Sequence, residues 1–262
     1  MSLPLSYTVT GETAGPAIVF VHGFMGASPD WNPVVDALSD RFTCVTVDLP
    51  GHGASTGCDA DRYTMAGAVR GVIDVLNDAG LAQAVLVGYS MGGRVALRAA
   101  LQHPERVRRL VLESTSPGLR DAVDRRERRR RDAERAGQIT QDLRGFLERW
   151  YRMSLFASLQ HHNLVEEMVD RRAKNDPAEI ARMIQALSPG RVRPVWDELG
   201  SLSTRTCLLT GDLDTKYAHI TARAVDRLPD AERVVVSGAG HNVHAERPTA
   251  YLQVLAGFLD DL

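Results

Sequence analysis

One five-residue stretch limits what this chain can fold into more than any other: Gly88-Tyr89-Ser90-Met91-Gly92, a G-x-S-x-G. The apolar run Ala84-Val85-Leu86-Val87 precedes it, and Gly93-Arg94-Val95-Ala96-Leu97 opens a helical pattern after it. A strand that turns into a helix at a single residue holds that residue in a strained backbone conformation and lifts its side chain off the end of the sheet. Glycines two positions before and after let strand and helix approach closely. The helix N-terminus adds positive potential beside the serine oxygen. In this setting Ser90 is the candidate nucleophile or base, and the Met91 amide a candidate donor to a developing oxyanion.

Strand–helix alternation extends along the chain. Ala17–Val21, Thr43–Val47, Ala84–Val87, Leu110–Leu112, Thr206–Thr210 and Arg233–Val236 read as short strands, nearly continuously apolar as strands buried on both faces are. Pro33–Leu38, Thr64–Ala79, Arg94–Leu101, Thr221–Arg227 and Thr249–Leu259 read as helices. This predicts an α/β fold with a mainly parallel sheet and helices on both faces. The alternation stops at the turn signal Ser116-Pro117-Gly118 and resumes near Thr206. The stretch between favours helix. The expected organisation is an α/β core of residues 1–118 and 201–262 with an inserted helical cap of residues 119–200. Such a cap lies over the carboxyl ends of the strands, where open α/β sheets place their sites.

The cap is also distinct in charge. It carries 17 Lys+Arg against 14 Asp+Glu, whereas the whole chain of 262 residues has a formal charge of -2. Arg120 to Arg135 alone holds eight arginines and five acids. Most are expected on a solvated, ion-paired helix face. One or two facing a cleft would hold an anionic substrate.

A serine needs a base, and the base needs an orienting acid. The chain order for this arrangement is Ser, then Asp or Glu, then His. His241, in the Gly-rich loop Ser237-Gly238-Ala239-Gly240-His241 after the last strand, is the expected base. His244 ranks below it, and His103, His161, His162 and His219 read as surface residues. The acid is expected in Thr210-Gly211-Asp212-Leu213-Asp214. Asp214 is preferred for its reach past the strand end, Asp212 suits turn amides, and Glu113 is a third choice. The second oxyanion donor is expected in the strand-end turn Val21-His22-Gly23-Phe24-Met25-Gly26, at the Phe24 amide. His22 reads as a structural hydrogen-bonding residue, and Asp48 to Ser55 as scaffold near the site.

Other function classes find little support. No stretch reaches the roughly 18 consecutive apolar residues of a membrane helix, and the first residues lack the features of a secretory signal. A cytoplasmic protein is expected. The net charge favours neither nucleic acid nor an anionic membrane as partner. Cys44, Cys58 and Cys207 form no CxxC, which argues against a disulfide scaffold and a cysteine zinc site. Without an HExxH, Walker or dinucleotide-binding pattern, no metal and no cofactor are expected. The oligomeric state is open.

Together these motifs resemble the α/β-hydrolase superfamily across almost the whole chain. Within it they resemble the 2-succinyl-6-hydroxy-2,4-cyclohexadiene-1-carboxylate (SHCHC) synthases of menaquinone biosynthesis. His22-Gly23-Phe24-Met25-Gly26 with Asp30-Trp31 is similar to that branch's HGF(L/M)G…DW loop, and Gly88 to Arg94 to its GYS(M/L)GGR elbow. Ser116-Pro117-Gly118-Leu119 is similar to the turn entering its cap. Trp150-Tyr151 with Leu155-Phe156-Ala157-Ser158-Leu159 is similar to its WY…FASL segment, and Asp214-Thr215-Lys216-Tyr217 to its D(S/T)K(F/Y).

The resemblance implies a lyase that eliminates pyruvate from 2-succinyl-5-enolpyruvyl-6-hydroxy-3-cyclohexene-1-carboxylate and leaves a conjugated diene. Ser90, activated by His241 and Asp214, would act as the base, with the Phe24 and Met91 amides as the oxyanion hole and no cofactor. The implied partner is a small polyanionic substrate, bound by Arg94, Arg128 and Arg172 between Tyr89 and Trp150. The run Arg128 to Arg131 departs from the family pattern, and a slip of one position would turn a different arginine inward. A serine hydrolase, either a carboxylesterase or a C–C bond hydrolase, shares every triad residue and is the alternative. A non-catalytic receptor on the same fold is a third reading.

Overall fold

Seven strands form one sheet among the residues that the computed structural model describes, which are 5–11, 15–260 and 262. They are β1 (Tyr7–Thr10), β2 (Ala17–Val21), β3 (Thr43–Val47), β4 (Ala84–Tyr89), β5 (Val107–Glu113), β6 (Thr206–Gly211) and β7 (Ala231–Val236). Their order is β1-β3-β2-β4-β5-β6-β7. β1 runs antiparallel to β3, and the other neighbours are parallel. The sequence reading did not anticipate β1. Its four residues are largely exposed at the sheet edge, so they carry no apolar run.

The helices α1 (Asn32–Leu38), α2 (Met65–Asp78) and α3 (Met91–Gln102) connect the first strands. Between β5 and β6 lie α4 (Ala122–Gln141), α5 (Leu143–Tyr151), α6 (Ala157–His161), α7 (Val165–Arg172) and α8 (Pro177–Ala186). After β6 come α9 (Thr215–Val225), α10 (Val243–Glu246) and α11 (Pro248–Leu259). No helix among the described residues is long and apolar enough to cross a membrane.

Alternate strand residues enter different cores, as the pleat requires. Val19, Val21, Leu86, Leu110 and Leu112 pack with α2 and α3. Ile18, Phe20, Val85, Val87 and Val111 pack with α1 and α11. Covering both faces explains why these strands read as continuous apolar runs rather than alternating ones. The helical insertion encloses a third apolar cluster, built on Ile139, Phe146, Leu147, Leu159, Met168 and Ile180. Met25, from the loop after β2, joins it.

Two helices start three or more residues earlier than the sequence reading placed them, and a polar side chain or turn accounts for each. Asp214 caps α9 by accepting from the Tyr217 amide at 3.1 Å, so the helix begins at Thr215 rather than Thr221. α3 begins at Met91 because the chain turns at Ser90. The strand order also sets where a site can form. β3 and β4 flank β2 on opposite sides, so the loops leaving β2 and β4 diverge and open a crevice at the carboxyl edge of the sheet.

Candidate active site

Ser90 leaves β4 with φ 50° and ψ -103°, a backbone state that side-chain-bearing residues rarely adopt. The strain is held from both sides. The Ser90 amide donates to the Glu113 carbonyl at 2.9 Å. A Cβ on Gly88 would stand 2.6 Å from the Gly93 Cα, so the helix can begin this close to the strand only because both are glycine.

His241 follows β7 and is 2% exposed. Its Nδ1 lies 2.6 Å from Asp214 Oδ2, and its Nε2 lies 3.1 Å from Ser90 Oγ. With Nδ1–H donating to the carboxylate, Nε2 is the lone-pair nitrogen that can take the serine proton. The other Asp214 oxygen is held by the α9 amide already described. Tyr217, Tyr89 and Phe156 rings stand 4.6, 5.5 and 5.7 Å from the imidazole and limit its rotation.

The other candidates of the sequence reading lie elsewhere. Asp212 accepts from the Gly238 amide at 2.8 Å and the Ser237 hydroxyl at 3.0 Å, pinning the loop that carries His241. Glu113 accepts from His244 twice, at the amide (3.2 Å) and at Nδ1 (2.7 Å). His162 is not simply a surface residue. It is half-buried and its Nε2 reaches the Gly238 carbonyl at 3.1 Å.

Met91 is the first residue of α3, a position whose amide has no intrahelical acceptor. The Phe24 loop is fastened by two buried imidazoles. His22 Nδ1 donates to Gly23 O at 2.7 Å and its Nε2 accepts from the Leu49 amide at 3.0 Å. His52 Nδ1 donates to Pro50 O at 3.0 Å and its Nε2 accepts from the Met25 amide at 3.1 Å. Each ring must be neutral to donate at one nitrogen and accept at the other. Burial lowers both pKa values, and His52 is brought down to about 3 by burial and then by neighbouring His22. The sequence reading treated the Asp48–Ser55 loop as scaffold. It missed that His52 within it holds the residue next to Phe24.

Ser90, His241, Phe24 and Met91 open onto a cavity of about 410 Å³ between the sheet's carboxyl edge and the helical insertion. Arg94, Arg128, Arg131, Arg135, Arg172 and Lys216 line it, and Asp214 is the one carboxylate among its described lining residues. Arg94 donates to Leu187 O at 2.8 Å. Burial, reinforced by Arg128, lowers its pKa to about 10, which leaves it charged at neutral pH. Arg128 donates through Nε to both Asp132 oxygens, at 2.9 and 2.8 Å. Arg135 meets the same carboxylate at 3.1 Å and lies over the Trp150 ring at 4.9 Å.

Arg172 departs from the picture of a cation waiting for substrate. It is 4% exposed and already grips Asp30 at 2.8 and 3.3 Å. Burial acts to raise the Asp30 pKa, but Arg172 and then Arg171 outweigh it and hold the carboxyl below its usual range. Tyr89 and Trp150 both line the cavity and both pack, Trp150 against Phe24 at 5.9 Å. Arg131 was left open as a neighbour of Arg128, and Arg135 and Lys216 were missed. The signal for the first two was the spacing 128, 131, 135, one face of a helix. No group of three His, Cys, Asp or Glu side chains among the described residues is placed to hold a metal.

This geometry can be set beside known proteins. An alpha/beta hydrolase fold family matches residues 16–248. The chain belongs to the α/β-hydrolase family. It is 36% identical over 254 residues to the 2-succinyl-6-hydroxy-2,4-cyclohexadiene-1-carboxylate synthase of Escherichia coli O1:K1 / APEC, covering 95% of this chain and 96% of that one. Within the α/β-hydrolases it therefore falls in the SHCHC synthase branch. The solved structure of MenH from S. aureus matches with a TM-score of 0.92 at 26% identity, covering 97% of this chain and 98% of that one. The enol-lactonase from Burkholderia xenovorans LB400 shares the α/β-hydrolase fold, with a TM-score of 0.84 at 21% identity over 98% of this chain and 96% of that one.

Proposed function

We propose that this α/β-hydrolase is an SHCHC synthase of menaquinone biosynthesis, a cytoplasmic lyase that eliminates pyruvate from 2-succinyl-5-enolpyruvyl-6-hydroxy-3-cyclohexene-1-carboxylate. The observation that carries the reading is a Ser-His-Asp arrangement opening onto a cavity with six basic residues and one acid. A neutral ester gains nothing from that lining. A substrate with several carboxylates does, because arginine matches carboxylates in two-pronged, charge-assisted hydrogen bonds.

His241 Nε2 takes the Ser90 proton, and Asp214 stabilises the imidazolium that forms. The Ser90 oxygen then removes a ring proton beside the succinyl carbonyl. The electron pair of that C–H bond moves through the ring alkene and breaks the C–O bond to the enolpyruvyl group. The Phe24 and Met91 amides stabilise negative charge on the carbonyl side while this happens. The departing enolate receives a proton and becomes pyruvate, and the ring keeps a conjugated diene. Residues 119–200 act as a cap that closes the cavity over the sheet. Arg94 and Arg128 hold substrate carboxylates directly, and Arg172 does so while keeping Asp30 at its back.

A paired assay on purified protein tests this. One arm supplies the enolpyruvyl substrate, generated in place by the enzyme that makes it, and follows pyruvate release. The other supplies a small activated ester. Fast pyruvate release with poor ester hydrolysis is expected. Fast ester hydrolysis without pyruvate above the spontaneous rate would overturn the lyase reading and leave a serine hydrolase.

A further inference from the structure

The arginine run on α4 divides by direction. Arg129 turns to the Gly190 carbonyl at 2.6 Å, and Arg130 pairs with Glu134 at 2.7 Å in solvent. Arg128, Arg131 and Arg135, at i, i+3 and i+7, share one helix face, and all three line the cavity. Lys216, in the first turn of α9, stands on the same cavity wall from the opposite element.

The charges on this wall are not matched. One carboxylate, Asp132, serves both Arg128 and Arg135. Among the described residues Arg131 has only Glu127 as a carboxylate partner, at 3.7 Å, and both side chains are about half exposed. Lys216 has no carboxylate partner among the described residues, and its ammonium lies 5.4 Å from the Tyr217 ring centre. Burial and then Arg128 push its pKa down; Asp214, two residues away, offsets part of this, and Arg131 and Arg135 add to the repulsion. A bound anion relieves such repulsion.

We propose that Arg131 and Lys216 form a carboxylate subsite at the rim of the cavity, separate from the Arg94 and Arg172 positions, which captures one carboxylate of the polyanionic substrate. The proposal rests on the reading of the site as one for a polyanion. Both side chains are long, flexible and weakly paired, so the subsite acts on capture rather than on the reacting bonds. It gives the arginine run a use: Arg128 spends its Nε on Asp132 and can meet substrate only through its terminal nitrogens, whereas Arg131, one turn on, can turn its whole guanidinium to a ligand.

The test uses Arg131→Gln, Lys216→Gln and the double variant in the full chain, with Arg130→Gln as control. KM and kcat are measured for pyruvate release, and succinate binding is followed by titration calorimetry without turnover. Each single variant should raise KM and the succinate Kd by about tenfold, with kcat changed less than about twofold. Arg130→Gln should leave both constants as they are. Unchanged KM and Kd in the double variant, or absence of succinate binding to the unaltered protein, would overturn the subsite. So would an equal loss in Arg130→Gln, which would point to the general field of the helix. If the protein released no pyruvate, the lyase reading would fail on its own. The succinate titration would still decide the subsite, since weaker binding in the double variant supports it and equal binding refutes it.

Discussion

Two imidazole–carboxylate pairs stand at the carboxyl ends of the strands, alike in chemistry and different in what lies beyond the ring. His241 and Asp214, 2.6 Å apart, open through Nε2 onto Ser90 and the cavity. His244 and Glu113, 2.7 Å apart, are covered by Trp31, stacked at 4.3 Å, and by the edges of Tyr89 and Tyr251. Contact between histidine and carboxylate is therefore not what makes a site. The open pair has the Ser90 hydroxyl within reach and a cavity beyond it. The sealed pair is a brace. Glu113 offers its carbonyl to the Ser90 amide and its carboxylate to His244, three residues beyond His241. It thus ties the turn that carries Ser90 to the loop that carries His241.

The contrast can be broken most directly at Ser90. Ser90→Ala should lower pyruvate release by roughly 10²–10⁴-fold with no loss of thermal stability. Turnover close to that of the unaltered protein would remove the open pair from the mechanism. Glu113→Ala should do the reverse. Urea denaturation should show a loss of about 3 kcal/mol, because His244 is left buried without its partner. Turnover below the unfolding temperature should fall far less than in Ser90→Ala. A variant as stable as the parent but inactive would exchange the roles of the two pairs.

A smaller effect separates cations paired within the protein from those that meet substrate. Arg128→Ala should raise KM for the polyanion by about tenfold and leave hydrolysis of a small neutral ester unchanged. Arg172→Ala should weaken substrate binding and also lower the unfolding temperature, since Asp30 stays buried beside it. If Arg128→Ala slowed both reactions equally, that arginine would be structural as well.

The smallest effect concerns the other sealed imidazoles, His22 and His52. Their pKa values in the folded state lie below the unfolded value near ~6.5, with His52 at about 3. The unfolded chain binds more protons in that window, so their contribution is complete above ~6.5 and is lost as pH falls toward the folded values. Urea midpoints measured between these limits should therefore decline with acidity, and His52→Asn should make the decline shallower. An unchanged slope would mean that His52 does not take up its proton on unfolding.

Legibility in the sequence tracked how local each signal was. The turn at Ser90 was readable because strand, glycines and helix start lie within a dozen residues. His241 and Asp214 were readable as positions, from the order of strands and the loops after them. Their rivals looked similar on paper. Only folding turns Asp212 toward the Gly238 amide and Glu113 toward His244. The edge strand β1 had no apolar pattern to find. Arg172 gave no hint that Asp30, far away in the chain, would claim it. His52 lay within a loop already noticed, but its bond to the Met25 amide joins two loops distant in sequence.

By itself the sequence determined the elements, their alternation and the residue types at the strand ends, because propensity, patterning and turn chemistry act over a few neighbouring residues. Tertiary structure decided which histidine–carboxylate pair faces the cavity and which is sealed. It also decided which arginines of a charged helix point inward and which cations keep a carboxylate partner. Those outcomes depend on burial and on distances between groups far apart in the chain, and both come into being only when the sheet closes and the helical insertion settles over its carboxyl edge.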